Sequence, residues 1–320
     1  MKRAVSMVLA IFLSIGLISC SKNKVNLESV DIILPDGLPA VGLSKFIDEN
    51  TSSEGSNFNI SLQNTPDVLV AELLKGDAEI AIVPSNLALQ TYKKNLDYRI
   101  AGTIGWGSMY LISIGEVQNL SELEGAEIYN TGKGLTPDII CRQVLDSKGI
   151  DDSKVNYSYV SAASELAPMI IGGKAKVAVV PEPILSTVLS KKPDTKILLK
   201  LNSEWKTLKN VERGYPQSTI LIKESFYKEN KKICNDILNR IDKSINWVVK
   251  NPSEVADICE KNSITANKAI LDKALERSNL KYYGIQDTKE EYKVYFDSID
   301  NSAKEQEGKI DYEKIFIEGQ

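Results

Sequence analysis

Gly76-Asp77-Ala78-Glu79-Ile80-Ala81-Ile82-Val83-Pro84 returns 97 positions later as Gly173-Lys174-Ala175-Lys176-Val177-Ala178-Val179-Val180-Pro181. Five of the nine positions are identical, and Ile80/Val177 and Ile82/Val179 are conservative matches. In each copy a short apolar run lies between a glycine and a proline, the pattern of a strand buried on both faces. The same offset, without a gap, sets Asp36-Gly37-Leu38 against Lys133-Gly134-Leu135. A period this long means two similar α/β lobes, since solenoid repeats are far shorter.

Around the first copy, β-branched runs alternate with amphipathic stretches. Strands are predicted at residues 29–34, 58–63 and 79–83, and helices at 39–50, 66–75 and 85–94. Such alternation implies βαβ units and a mainly parallel sheet covered on both faces. The expected fold is α/β, with two similar doubly wound lobes joined by two crossing segments and extra C-terminal helices. Lobe 1 takes residues 30–104 plus 218–320, and lobe 2 takes 109–213. The crossings are 105–108, in a Gly-rich run between extended segments at 98–104 and 109–114, and 214–217. Ser218-Thr219-Ile220-Leu221-Ile222 is expected to return to lobe 1 as a strand.

The remainder reads as helical and is expected to pack around lobe 1. Residues 229–250 place Ile233, Ile237, Ile241, Ile245 and Val248 on one face. Pro252 opens the next helix at a favoured position. Helices at 266–277 and 288–304 follow, the last an ordinary surface helix with Tyr292, Tyr295 and Phe296 on an apolar stripe.

The chain has 320 residues, 42% hydrophobic and 26% charged, a globular composition with room for two cores. Its net charge of −4 argues against binding nucleic acid through phosphate neutralisation, so no nucleic-acid partner is expected. There is no histidine. That excludes Ser-His-Asp and Cys-His catalysis, HExxH zinc sites and imidazole proton shuttles. Nucleophile-elbow, dinucleotide and P-loop motifs are missing too, so no catalytic residue, metal or cofactor is assigned.

Met1-Lys2-Arg3 precedes an apolar stretch over residues 4–18, too short for a membrane span and laid out as a secretory signal. It ends in Leu17-Ile18-Ser19-Cys20, which resembles the lipobox of bacterial lipoproteins. By that resemblance residues 1–19 are a signal peptide, Cys20 carries the lipid and residues 20–29 form a tether. Losing Lys2 and Arg3 from 39 basic residues leaves 37 against 43 acids, a net charge of −6. Cys141, Cys234 and Cys259 then remain without metal-ligand spacing. Buried free thiols are expected, with a Cys234–Cys259 bridge as the alternative.

In open α/β sheets, ligands bind beyond the carboxyl ends of the strands, where loops run into helix N-termini. Here those loops are 36–40, 63–66 and 84–86 in lobe 1, and 131–137, 161–164 and 181–183 in lobe 2. A true repeat would face the two sets across one cleft. Candidate solute contacts from lobe 1 are Asp36, Gly37, Leu38, Pro39, Thr65, Ser85 and Asn86. Those from lobe 2 are Thr131, Gly132, Lys133, Gly134, Leu135, Thr136 and Glu182, and the crossings add Trp106, Ser108 and Tyr215.

The two glycines of the 131–137 loop permit close backbone approach to an anionic or strongly polar group, with Lys133 beside them. Trp106 and Tyr215 would form an aromatic wall for a planar solute, and Glu182 would accept a hydrogen bond from an amine or ring N–H. Plain structural readings stand beside these: helix caps for Ser85 and Thr136, packing for the aromatics, a solvent-facing Glu182. Arg142 and Arg213 fall outside loops expected to clamp a carboxylate.

With these features assembled, the chain resembles the solute-binding protein of an ABC importer with the type II bilobed fold. Within that class it is similar to the nitrate, sulfonate, taurine and thiamine-precursor binding family. The resemblance runs from Val30 to the C-terminal helices. It rests on the lipobox, on residues 31–43 and 74–84, on Leu120-Ser121-Glu122-Leu123-Glu124-Gly125-Ala126-Glu127-Ile128, and on Ala178-Val179-Val180-Pro181-Glu182-Pro183. It implies a monomeric extracytoplasmic lipoprotein, anchored to the bacterial membrane by its N-terminal lipid, at the cell surface or in the periplasm. Such a protein captures a small polar or aromatic solute between its lobes and delivers it to an ABC permease and its ATPase. The alternatives are an enzyme of the same fold acting on a small metabolite, and a ligand-sensing lipoprotein. Pyrimidine synthases of this fold depend on a histidine, which counts against the enzyme.

Overall fold

A computed structural model describes residues 29–49, 52–115, 117–300 and 310–318. The signal peptide, the lipobox and Cys20 lie outside the described residues. The chain opens with β1 (Ser29–Pro35), α1 (Leu38–Gly42), α2 (Ser44–Glu49), β2 (Asn57–Gln63), α3 (Pro66–Lys75), β3 (Ile80–Pro84), α4 (Ser85–Lys93) and β4 (Tyr98–Trp106). It passes through Gly107 and Ser108 into β5 (Met109–Ser113), then β6 (Glu127–Thr131), α5 (Thr136–Ser147), β7 (Asn156–Val160), α6 (Leu166–Ile171), β8 (Val177–Pro181), α7 (Ile184–Lys191), β9 (Lys196–Lys200) and α8 (Leu201–Lys209). β10 (Pro216–Lys223) returns to the first sheet. After it come α9 (Glu224–Glu229), α10 (Lys231–Lys250), α11 (Pro252–Lys261), α12 (Leu271–Arg277), β11 (Leu280–Gly284) and α13 (Lys289–Ile299).

Lobe 1 is a six-stranded sheet ordered β11-β4-β10-β3-β1-β2, and lobe 2 a five-stranded sheet ordered β7-β6-β8-β5-β9. The repeat is therefore structural: β2-β1-β3 and β7-β6-β8 are matching parallel trios. The sheets are mixed, however, where a mainly parallel arrangement was expected. β10 runs antiparallel between β3 and β4, and β5 antiparallel between β8 and β9. Geometry requires this. The parallel strands of both lobes point their carboxyl ends at the gap between them, so a strand arriving from the other lobe enters against that direction.

Two further expectations are corrected. The helix at 39–50 is two helices, because Ser244 of α10 enters the ladder between them. Its Oγ accepts from Phe46 N at 3.1 Å and donates to Gly42 O at 2.9 Å, replacing the bond that would join the two turns. The last helical region holds a strand, β11, paired antiparallel with β4. α13 is the surface helix its pattern predicts: Tyr292, Tyr295 and Phe296 face inward at no more than 1% exposure, while Lys289, Glu290, Lys293 and Asp297 face solvent. It packs on α4, α5 and β10, touching both lobes. α10 buries Ile233, Ile237, Ile241, Ile245 and Val248 as their spacing predicts. Cys141, Cys234 and Cys259 are free and buried. Burial pushes the Cys141 and Cys234 thiols up to about 12 and Cys259 to about 11, which keeps them as unreactive thiols. No helix among the described residues is long and apolar enough to cross a membrane.

Candidate functional site

A cavity of about 410 Å³ lies between the lobes, at the carboxyl ends of β1, β3 and β8. Lobe 1 supplies Asp36 to Pro39 and Pro84, lobe 2 supplies Pro181 to Ile184, and the crossings supply Trp106, Ser108 and Gln217. Gly37 makes the turn from β1 into α1 at φ 99°, a left-handed conformation open to glycine at little cost. Asp36 Oδ1 accepts from its neighbour Gly37 N at 2.8 Å and from Thr265 N at 2.9 Å, which fixes the loop.

The crossings are tied tightly. Gly107 N donates to Tyr215 O at 3.0 Å, and Ser108 N to Gln217 Oε1 at 2.8 Å. A Cβ on Gly107 would lie 2.2 Å from the Tyr215 ring, so only glycine allows this approach. Trp106 is held by its Nε1, which donates to Lys281 O at 3.2 Å, and by an edge contact with Tyr283.

On the lobe 2 side, Glu182 is 4% exposed, which corrects the solvent-facing alternative. Its N–H donates to Ser108 O at 3.1 Å. Its carboxylate accepts from Ser186 N at 3.1 Å and Ser186 Oγ at 3.0 Å, within the first turn of α7. Burial pushes the carboxyl above its ordinary value, opposed by the Ser186 hydrogen bonds and by Arg277 at 3.9 Å. Arg277, at the end of α12, also donates to Ser186 Oγ at 3.2 Å, and its carbonyl accepts from Tyr110 of β5 at 2.8 Å. This end of α12 therefore fastens lobe 1 to lobe 2.

Asp36, Gly37, Leu38, Pro39, Trp106, Ser108 and Glu182 thus come together around one cavity. The other candidates do not join them. Tyr215 is fully buried, stacked at 6.2 Å on Tyr295 and edge-on to Trp205, so it forms no wall with Trp106. Ser85 is buried in a hydroxyl chain, 2.7 Å from Thr219, which is 2.7 Å from Tyr292. Thr65 caps α3 by accepting from Val68 N at 3.3 Å. Asn86, Gly134, Leu135 and Thr136 line a separate cavity of about 160 Å³ against α13. The 131–136 loop is held there by its own contacts. Thr136 Oγ1 lies 2.7 Å from Tyr295 Oη, and Gly134 N donates to Asp138, which is ion-paired with Arg142. Thr131 and Gly132 belong to the same loop and line neither cavity, and Lys133 is poised 5.9 Å over the Tyr159 ring.

Ser278, just after α12, and Leu280, which opens β11, also line the cavity around Asp36 and Glu182 and were missed by sequence reasoning. Their signal was the run Leu280-Lys281-Tyr282-Tyr283 after Asn279, a turn residue at φ 51°.

The fold is shared with solved components of ABC importers. An ABC transporter protein from Parabacteroides distasonis matches at a TM-score of 0.79 and 24% identity, covering 92% of this chain and 100% of that one. The periplasmic aliphatic sulphonate binding protein SsuA of Escherichia coli matches at 0.67 and 11% identity, covering 84% and 87%. The periplasmic nitrate-binding protein NrtA of Synechocystis matches at 0.55 and 14%, covering 81% and 74%. No protein-family model and no curated protein sequence matches the chain.

Proposed function

We propose that this chain is an extracytoplasmic solute-binding lipoprotein, which captures a small polar or aromatic solute between its lobes and delivers it to an ABC permease. One observation carries the reading: a cavity within the size range of small-molecule sites, lined by both lobes and both crossings, where open α/β sheets bind ligands. The likeness of fold to ABC-importer binding proteins supports it. A solute in this gap gains contacts to both loop sets only when the lobes are closed, so its differential affinity shifts the population to the closed form. The closed form is the signal a permease reads. Lipidation at Cys20 would hold the protein beside that permease, provided several acyl chains are attached, since one binds a membrane only weakly.

The test is a melting screen of the protein, followed by tryptophan fluorescence, against sulfonates, nitrate, pyrimidines and thiamine. A specific solute raises the melting temperature by mass action, and Trp106→Ala abolishes the rise. Solutes whose effect survives Trp106→Ala contradict the reading. Replacing Cys20 with Ser should release the protein from membranes; unchanged membrane association contradicts the lipoprotein part.

A further inference from the structure

The cavity between Asp36–Pro39 and Pro181–Ile184 is poor in hydrogen-bond donors. Five of its lining residues are prolines, at positions 35, 39, 84, 181 and 183, and proline has no N–H. Several of the other N–H groups there are already used within the chain. Asp36 N donates to Gln63 O at 3.0 Å and Glu182 N to Ser108 O at 3.1 Å. Gly37 N and Ser108 N donate to the side chains of Asp36 and Gln217. The start of α7, a usual cradle for an anion, is occupied by the protein's own Glu182 carboxylate, which accepts from Ser186 N.

Charge tells the same story. Asp36 and Glu182, one from each lobe, are the charged side chains in the lining, and among the described residues no Lys or Arg lines it. Lys133, the cation expected there, lies over Tyr159 in lobe 2. Arg277 approaches Glu182 to 3.9 Å from outside the lining and spends its Nη1 on Ser186 Oγ and Lys273 O. A buried carboxylate whose one ion pair, at 3.9 Å, is beyond hydrogen-bond reach is stabilised further by a cation that enters and donates to it.

We infer that the cleft selects a small organic cation carrying N–H donors, an ammonium or amidinium group set between Asp36 and Glu182, and rejects oxyanions. This rests on the solute-binding reading above. The proline rings add an apolar surface, which suits a cation with a flat or aliphatic body.

Benzamidinium and benzenesulfonate test this as a matched pair, with one ring and opposite head groups. Melting of the full-length protein in detergent is followed with each at about 50 mM and constant ionic strength, conditions under which a millimolar binder shifts the midpoint by roughly 2 °C or more. Benzamidinium is expected to raise the midpoint and benzenesulfonate to leave it unchanged. Glu182→Gln and, separately, Asp36→Asn should each weaken the benzamidinium response by roughly tenfold in affinity, since each removes one carboxylate charge. Either variant suffices if the other does not fold. Stabilisation by benzenesulfonate, no response to benzamidinium, or a response that both variants keep overturns the inference. If benzenesulfonate binds and Trp106→Ala abolishes that binding, only the charge assignment falls and the cleft reading stands. If no probe's effect depends on Trp106, the cleft reading falls as well.

Discussion

Ser85 and Glu182 stand at equivalent places in the two lobes, each the residue after the proline that ends the repeated strand, and they are put to different uses. Ser85 turns inward to Thr219 and disappears into a hydroxyl chain, whereas Glu182 borders the gap with a buried carboxylate. Asp36 and Lys133 repeat the contrast. The acid of lobe 1 borders the same cavity as Glu182, while the base of lobe 2 lies over Tyr159 in its own lobe. Duplication therefore fixes where each loop leaves its sheet. What faces the solute is decided afterwards by elements outside the repeat, above all α13, whose Tyr295 meets the 131–136 loop.

The contrast can be broken most forcefully at the crossings. Trp106→Ala should cost about 4 kcal/mol of stability, as for a large buried aromatic, and should abolish solute binding. Denaturant unfolding and the melting screen read the two effects separately. Gly107→Ala should cost about 3 kcal/mol, because the new Cβ meets the Tyr215 ring and the crossing has no slack. An unchanged denaturation midpoint would show that the crossing is looser than described.

Smaller changes sharpen the comparison between the two loops. Tyr295→Phe should cost about 1 kcal/mol by removing the bond to Thr136. Tyr215→Phe should cost less, since the Tyr215 hydroxyl is buried without a hydrogen-bond partner. Lys133→Ala should leave solute affinity unchanged, whereas the same change at Asp36 should not; equal effects would restore the symmetric site.

The weakest effect expected is a pH dependence. Burial raises the Glu182 carboxyl above its ordinary value of 4.5, so the folded protein favours the protonated form. The resulting stability is complete below the ordinary value and is lost as pH rises through the raised one. Glu182→Gln should flatten that part of the melting-temperature profile; a profile identical to the wild type would contradict the placement of the carboxyl.

Much of the fold is written locally. Apolar runs between Gly and Pro give the central strands, and the 97-residue offset pairs Ile80–Pro84 with Val177–Pro181. The general rule for open sheets then locates half of the site, from Asp36 to Pro39 and at Glu182. What escapes depends on contacts distant in sequence. Ser244 splits a helix some 200 residues away, Thr136 meets a tyrosine 159 residues on, and Tyr215 is covered by α13 and Trp205. The directions of β5 and β10 follow from the two lobes facing each other, which no window of sequence contains.

The central question is which gap between the lobes holds the solute. A crystal structure of the protein saturated with the strongest binder from the melting screen decides this directly. Solute density between Asp36–Pro39 and Pro181–Ile184, beside Trp106, is the predicted result. Density beside Asn86 and Thr136, or on an outer face, would contradict it.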